Sequence, residues 1–332
     1  MKKFKVALIL SLISAMVIGC GKQASNEALE VIDEPIIIEE ALETVSDPEP
    51  LPVMPTPEAV ETPDLEQIAA DHVDDSIVLG ENHDQIQALS IQRDQVLAGS
   101  DSVDEINSAH EINKQITELN TYDFSGLKIA CIGDSITYGR GASLNEYGNP
   151  ISYVDYLRDI LGCEVVNIGL PGSTIGNYGS DTCFLFRVDQ IPEDTDIIIV
   201  FGGVNDYLCG NSVFGASDAD DGLYQDAVDE LFSRIRERCP DQEMFVVLTY
   251  QNALEYDPDN ASTYPFDTWL DVMRCYSDQY DFHKIEMYRN GFMNSSIPEI
   301  QQTFFFDEVH PNDNGYLAIS RYIAAKLVEY YN

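Results

Sequence analysis

Side chains able to carry out nucleophilic chemistry stand in four short, separate segments of the sequence. Ser135 follows directly after Asp134 in the segment GDSIT. Asp307 and His310 stand three residues apart in DEVHP, and on a turn this spacing lets a carboxylate reach the near imidazole nitrogen and fix its tautomer. A hydroxyl, an imidazole and a carboxylate are the groups that acyl transfer needs as nucleophile, base and base-orienting group.

The other two segments supply hydrogen-bond donors. NIGLPGS at 167–173 contains Gly172 in a flexible glycine turn, and GGVND at 202–206 contains the amide side chain of Asn205. Such donors can stabilise an oxyanion. Each residue alone has a plainer interpretation, since serine also caps helices, glycine also serves tight turns and asparagine also forms Asx-turns. The joint occurrence of the four segments favours the catalytic interpretation.

Three of these segments follow apolar runs that predict buried β-strands. The runs are short and rich in β-branched residues, as expected of strands that are covered on both faces. They lie at residues 127–133, 164–169, 196–203 and 244–250, and a further strand is predicted near 283–288.

Between the runs, apolar residues recur at helical spacing. The three stripes are Ile151, Val154, Leu157 and Leu161; Leu223, Ala227, Leu231 and Ile235; and Tyr316, Ile319, Ile323 and Leu327. Strand–helix alternation predicts a parallel sheet with helices on both faces. Such folds place their sites at the carboxyl ends of the strands, which is where the candidate side chains fall.

Over residues 126–329 the sequence resembles the SGNH hydrolases, also called GDSL esterases and lipases. GDSI at 133–136, NIGLPGS at 167–173, GGVND at 202–206 and DEVHP at 307–311 match the four blocks of that family. The resemblance implies an α/β fold, a flavodoxin-like three-layer α/β/α sandwich with a central parallel sheet of about five strands. It also implies a serine hydrolase acting on ester bonds.

The resemblance further implies a role for each matched residue. Ser135 is the expected nucleophile, and His310 and Asp307 complete the triad. The oxyanion hole is expected from the backbone N–H groups of Ser135 and Gly172 and from the amide of Asn205. We expect no metal or cofactor, because the acidic run at 217–222 does not fit a calcium loop and is interpreted as a solvated loop.

The N-terminus has the layout of a bacterial export signal. Lysines precede an apolar run over residues 1–19, and the run ends in VIGC at 17–20, which resembles a lipobox. We therefore expect Cys20 to be lipidated, and the protein to be exported and anchored by lipid to the membrane at the bacterial cell surface.

Composition divides the rest of the chain. Residues 20–75 are acidic and proline-rich, which predicts a disordered linker. Residues 76–121 predict a short helical spacer of two helices, one on each side of Gly99. These helices either pair with each other or dock on the hydrolase domain at 122–332, and we hypothesise docking because two short helices alone bury little apolar area.

The formal charge of −40 makes some partners improbable. It divides into +3 for residues 1–20, −21 for 21–121 and −22 for 122–332, since 3 − 21 − 22 = −40. A chain this acidic repels phosphate backbones and anionic headgroups, so we expect no nucleic acid partner. Membrane attachment would depend on the lipid at Cys20.

Six cysteines remain besides Cys20, namely Cys131, Cys163, Cys183, Cys209, Cys239 and Cys275. They permit up to three disulfides, and the sequence leaves their redox state open. Cys131 lies inside an apolar run and is predicted to be a buried thiol. No CxxC pair or Cys/His cluster supports a zinc site.

Three functions are compatible with these observations. The leading hypothesis is a cell-surface carbohydrate O-acetylesterase acting on an acylated small molecule or polysaccharide. The second is a lysophospholipase or thioesterase acting on longer acyl chains, against which the polar, glycine-rich loop between Tyr207 and Leu223 weighs mildly. The third is a non-catalytic glycan-binding module on a hydrolase scaffold. The sequence leaves the oligomeric state open.

Overall fold

The computed structural model describes residues 80–332, apart from residues 178–181, 209–222, 258–261 and 263. The predicted export signal at 1–19, the lipidation site Cys20 and the linker at 20–75 lie outside the described residues. So do Cys209 and the acidic run at 217–222.

Five parallel strands form the central sheet. They are β1 (Lys128–Gly133), β2 (Glu164–Gly169), β3 (Ile197–Phe201), β4 (Glu243–Leu248) and β5 (His283–Glu286). The strand order is β2-β1-β3-β4-β5, and every neighbouring pair is parallel. This is the flavodoxin-like order. The apolar runs therefore predicted all five strands, and the predicted fold class is confirmed.

Helices cover both faces of the sheet. They are α1 (His83–Leu97), α2 (Val103–Glu118), α3 (Ser135–Tyr138), α4 (Tyr153–Leu161), α5 (Val204–Leu208), α6 (Tyr224–Arg238), α7 (Phe266–Tyr280), α8 (Pro298–Phe304) and α9 (Asp313–Tyr331). Two 3₁₀ helices, Phe184–Gln190 and Ala253–Tyr256, lie in the connections. The three predicted apolar stripes correspond to α4, α6 and α9.

Alternate residues of β1 enter two separate hydrophobic cores. Ile129 and Cys131 belong to the core that contains residues of α4 and α9, whereas Ala130 and Ile132 belong to the core that contains residues of α6 and α7. This follows from the two-residue period of a strand, which sends successive side chains to opposite faces. The sheet is thus the middle layer of three.

Helices α1 and α2 pack on the C-terminal helix α9. Ile106 and Ile116 of α2 are fully buried in the same core as Ile319 of α9. Arg93 of α1 is also fully buried and forms an ion pair with Glu329 of α9. The two helices therefore dock on the hydrolase domain, as well as contacting each other.

Five cysteines lie in the described residues, and each is a free thiol: Cys131, Cys163, Cys183, Cys239 and Cys275. Cys131 is fully buried, as its strand position predicted, and burial raises its pKa to about 12. Within the described ranges, no helix is long and apolar enough to cross a membrane. The same ranges contain no group of three or more His, Cys, Asp or Glu side chains that could hold a metal ion.

Candidate active site

The chain turns sharply at the end of β1 and places Ser135 at the first position of helix α3. Gly133 permits this turn, because a Cβ atom there would stand 1.9 Å from Thr137 Oγ1. The Asp134 side chain caps the helix, and its Oδ1 accepts the backbone N–H of Ile136 at 2.9 Å. The cap of this helix is therefore Asp134, which leaves the Ser135 hydroxyl for another partner.

That partner is His310. Ser135 Oγ lies 2.8 Å from His310 Nε2, and His310 Nδ1 lies 2.8 Å from Asp307 Oδ2 and 3.0 Å from Asp307 Oδ1. Ser135 is 4% exposed and His310 is 7% exposed, so the chain of hydrogen bonds is largely shielded from water. The structure thus brings the three predicted triad residues together, in the order hydroxyl, imidazole, carboxylate.

Asp307 also organises the turn on which it stands. Its Oδ1 accepts the backbone N–H groups of Val309 at 2.9 Å and His310 at 2.7 Å. Burial raises the pKa of Asp307, but its hydrogen bonds with His310 and with the Val309 N–H outweigh that effect, and the net pKa is lowered. The carboxylate is therefore ionised where it meets the imidazole, and it is suited to hold Nδ1–H and to stabilise an imidazolium.

The turn at 307–310 is braced from the neighbouring strand β4. The buried Tyr250, two residues beyond β4, donates its hydroxyl to the Val309 carbonyl at 2.8 Å. The backbone N–H of Ala253 donates to the hydroxyl of Ser295, which in turn donates to the Glu308 carbonyl. These hydrogen bonds hold the backbone on which His310 stands at the carboxyl end of the sheet.

The donor side of the site is built by the loop after β2 and by helix α5. The loop is joined to the nucleophile strand by a hydrogen bond from Leu170 N to the Gly133 carbonyl at 3.1 Å. Gly172 lies exposed on this loop with φ +75°, a backbone conformation that suits glycine. Asn205 Nδ2 donates to the Ser173 carbonyl at 2.9 Å, so Asn205 stands beside the loop that carries Gly172.

One hydrogen of the Asn205 amide is used by the Ser173 carbonyl, and the amide has a second. Within the described residues, no hydrogen bond joins Gly172 or Asn205 to Ser135. The next residue, Asp206, is fully buried and accepts the backbone N–H groups of Ile175 at 2.9 Å and Gly176 at 3.0 Å. GGVND therefore holds the glycine loop with both its amide and its carboxylate.

Arg187 is a buried part of the site that sequence reasoning missed. Its guanidinium donates to the Gly133 carbonyl at 3.0 Å, to Ser173 Oγ at 2.8 Å and to the Ile168 carbonyl. These groups lie at the ends of β1 and β2 and on the glycine loop, so one side chain ties the three together. A lone arginine between Phe186 and Val188 gives no periodic or motif signal, and its burial is set only by the tertiary fold.

Two charged groups are thus buried behind the nucleophile. Burial raises the pKa of Asp134 to about 6, although its bond from the Ile136 N–H and the nearby His310 and Arg187 offset part of the effect. Burial lowers the pKa of Arg187 to about 10, offset in part by Asp134. Asp134 Oδ2 is buried without a hydrogen-bond partner, which accounts for the cost of ionising this carboxyl.

The sequence matches the model of the GDSL-like Lipase/Acylhydrolase family over residues 131–318. This chain belongs to that family. The match covers more than half of the chain and includes all four segments that carry the site. The protein is therefore a serine ester hydrolase of the GDSL type.

Solved structures resemble this GDSL hydrolase. A crystal structure of a protein from Lactobacillus plantarum is 26% identical, with a TM-score of 0.53, and the match covers 61% of this chain and 97% of that one. The lipase/acylhydrolase from Enterococcus faecalis is 21% identical, with a TM-score of 0.45, covering 61% of this chain and 95% of that one. No curated protein matches the chain.

Proposed function

We propose that this GDSL hydrolase is a carbohydrate O-acetylesterase that works through an acyl-enzyme on Ser135. The observation that carries the proposal is the continuous hydrogen-bond chain from Ser135 Oγ through His310 to Asp307. This chain supplies a nucleophile, a base and a group that orients the base, which is the arrangement required for acyl transfer.

The proposed reaction follows from the positions of these atoms. His310 Nε2 takes the proton from Ser135 Oγ as the oxygen attacks the ester carbonyl, and Asp307 stabilises the resulting imidazolium. The backbone N–H groups of Ser135 and Gly172 and the second amide hydrogen of Asn205 hold the oxyanion. His310 then protonates the leaving alcohol, and water attacks the acyl-enzyme in the same way.

Exposed aromatic rings near the nucleophile support a sugar as the alcohol part of the ester. Tyr138, three residues after Ser135 on α3, is 43% exposed, and Phe306, next to Asp307, is 65% exposed. Tyr147 is 80% exposed at the tip of a hairpin at 143–151, whose base is held by hydrogen bonds from Ser143 to Asp313. Aromatic faces pack well against the C–H faces of sugar rings, and clustered exposed apolar groups mark binding surfaces.

A panel of 4-nitrophenyl esters from acetate to palmitate, with acetylated xylan alongside, tests the proposal. We expect turnover of acetate and release of acetate from the polysaccharide. A preference for palmitate would instead support a lysophospholipase or thioesterase. Binding to xylan without turnover of any ester would support a glycan-binding module.

The aromatic surface has its own test. Replacing Tyr147 by serine should lower kcat/KM on acetylated xylan by about 2- to 10-fold, the range expected for one aromatic contact, and leave 4-nitrophenyl acetate unaffected. Tyr330→Ser is the matched control, because Tyr330 is 43% exposed and bonds Glu243 at the opposite edge of the sheet. If Tyr147→Ser and Tyr330→Ser lowered kcat/KM on acetylated xylan equally, Tyr147 would no longer support a sugar substrate.

A further inference from the structure

The cations of the hydrolase domain are nearly all committed to partners within the protein. Residues 122–332 contain twelve lysines and arginines against thirty-four acidic residues. Nine of the twelve form ion pairs with carboxylates. The buried Arg187 and the partly buried Arg236 donate instead to carbonyl oxygens, and Arg187 also donates to a hydroxyl. Arg140 is the exception, since its side chain makes no ion pair or hydrogen bond with any residue that the structure describes.

Arg140 lies next to the nucleophile. Its backbone N–H donates to the Ser135 carbonyl at 2.9 Å, and its own carbonyl accepts the Tyr316 hydroxyl at 2.7 Å. The side chain is exposed. Burial raises the pKa of Tyr316 well above its usual value, and the Arg140 guanidinium is near enough to oppose that effect. The backbone of Arg140 is therefore fixed at the site while its guanidinium remains in solvent at the rim.

The carboxylates around Arg140 already have other partners. Asp307 is bonded to His310, and Asp313 accepts both the N–H and the hydroxyl of Ser143. The next residue, Gly141, packs under Phe306, where a Cβ would stand 2.7 Å from the Phe306 Cβ. The chain at Arg140 thus runs beside the exposed Phe306 ring, and no described carboxylate forms an ion pair with the Arg140 guanidinium.

We propose that Arg140 binds a carboxylate on the sugar that carries the ester, so that the substrate is an O-acetylated glycan containing uronic acid. This rests on the proposed esterase function and adds the identity of the sugar. A guanidinium presents two parallel N–H donors that match a carboxylate. Because the acidic domain repels a polyanion as a whole, the proposed contact is with one uronic acid beside the ester, which Arg140 would neutralise locally.

The test compares matched substrates in the wild type, Arg140→Gln and Arg158→Gln. Arg158 is an exposed arginine on α4 that pairs with Asp155 and Asp159, so its replacement is the control for removing one positive charge. On acetylated oligogalacturonate, Arg140→Gln should raise KM and lower kcat/KM by about 10- to 100-fold, the usual worth of a charge-assisted hydrogen bond. Acetylated xylo-oligosaccharide and 4-nitrophenyl acetate should be unaffected.

A binding measurement separates this proposal from the esterase function. In the Ser135→Ala background, calorimetry should show that the oligogalacturonate binds, and that adding Arg140→Gln weakens its binding by a similar factor. If the wild type did not turn over 4-nitrophenyl acetate, the proposed esterase function would be wrong. If Arg140→Gln left oligogalacturonate binding unchanged, only the proposed carboxylate site would be wrong. Selective loss of activity on a lysophospholipid would also overturn it, because the bound group would then be a phosphate.

Discussion

Asp134 and Ser135 divide the two tasks of capping helix α3 and contacting the catalytic imidazole. The aspartate caps helix α3, and the serine hydroxyl contacts the imidazole of His310. A capping serine would direct its oxygen to a backbone N–H and would not be available for attack. The assignment of Ser135 as nucleophile is thus open to a direct test.

Replacing Ser135 by alanine should lower kcat on any ester substrate by about 10⁴-fold or more, because the nucleophile and its base act as a unit. The melting temperature should not fall, since the cap is supplied by Asp134 and the lost hydroxyl is small. Steady-state kinetics and thermal unfolding measure the two effects. Ser125→Ala, at an exposed serine, serves as the control, and retention of substantial turnover in Ser135→Ala would rule out the assigned nucleophile.

The raised pKa of Asp134 predicts a pH-dependent stability. Its folded-state pKa of about 6 exceeds the usual value of 3.8, so the folded protein binds a proton that the unfolded chain does not between these limits. The contribution of Asp134 to stability therefore increases as pH falls from about 6 to 4. Relative to Asp134→Asn, the wild type should gain about 2 kcal/mol over that range, at 1.36 kcal/mol per pKa unit.

Urea unfolding of both proteins at pH 7, 5 and 4 measures this difference. Only the change in the difference between wild type and variant matters, because other carboxyl groups titrate equally in both. A difference that does not vary with pH would show that Asp134 is not the titrating group.

Sequence motifs predicted the site residues whose functional groups take part in the chemistry. They did not predict the buried residues that support the site from behind. The Ser135 hydroxyl, the His310 imidazole and the Asp307 carboxylate carry a signal in the sequence, as do the glycine segments that contain Gly172 and Asn205. Arg187 does not, since an arginine in a connection is ordinarily exposed, and nothing in the apolar run at 244–250 shows that the Tyr250 hydroxyl bonds the turn at 307–310. Their function as supports depends on carbonyl groups from other strands, which only the folded sheet brings within reach.

At the scale of elements, the strands were more predictable than the helices. Strands buried on both faces have continuous apolar runs, so all five were found. Helix α7 was not predicted, although Phe266, Trp269, Leu270 and Met273 are buried in it and recur at helical spacing, so the sequence did carry the signal for this helix. Helix α8 is short, and its length falls below what periodicity can distinguish.

The contact between α1 and α9 gives a prediction for one buried side chain. The Arg93 guanidinium is fully buried, pairs with Glu329 and lies 5.0 Å from the centre of the Tyr322 ring. Arg93→Met should destabilise the protein by about 3 kcal/mol, since Glu329 would lose its buried charged partner and keep Lys326 and the Ser90 hydroxyl. Chemical denaturation measures the free energy of unfolding.

Two further variants test the cause. Replacing Arg93 by methionine and Glu329 by leucine together should restore much of the stability, because no charge is then left unpaired. Lys114→Met, which removes an exposed pair with Glu118, should change stability by less than about 1 kcal/mol. If the double variant were no more stable than Arg93→Met, the loss would be one of packing.

At the scale of the whole molecule, we propose that the protein is exported and held to the membrane by a lipid on Cys20. The sequence of residues 1–20, which resembles an export signal ending in a lipobox cysteine, supports this proposal. The excess of acidic residues offers no electrostatic attraction to anionic headgroups, so attachment would depend on the lipid. The acidic linker at 20–75 would then separate the hydrolase from the bilayer.

Cys20→Ala should release the protein from membranes into the soluble fraction without loss of esterase activity. Fractionation of cells followed by an activity assay of each fraction measures both. Cys275→Ala, at an exposed thiol of the hydrolase domain, is the control for removing a cysteine. A variant that stays with the membrane would mean that something other than a lipid at Cys20 holds it there.

The docking of α1 on α9 has a consequence for the time at which the protein becomes folded. Arg93 and Glu329 are 236 residues apart, so helix α1 leaves the ribosome long before its partner exists. At a synthesis rate of about 5–20 residues per second, the interval is roughly 10 to 50 s. During this interval the apolar faces of α1 and α2 have no α9 to cover them, and isolated helices of their length are marginal in water. Within the described residues 80–332, α9 is the last helix to be made and it completes the packing of α1, so we expect the native packing of α1 and α2 to form only after residue 329 has left the ribosome.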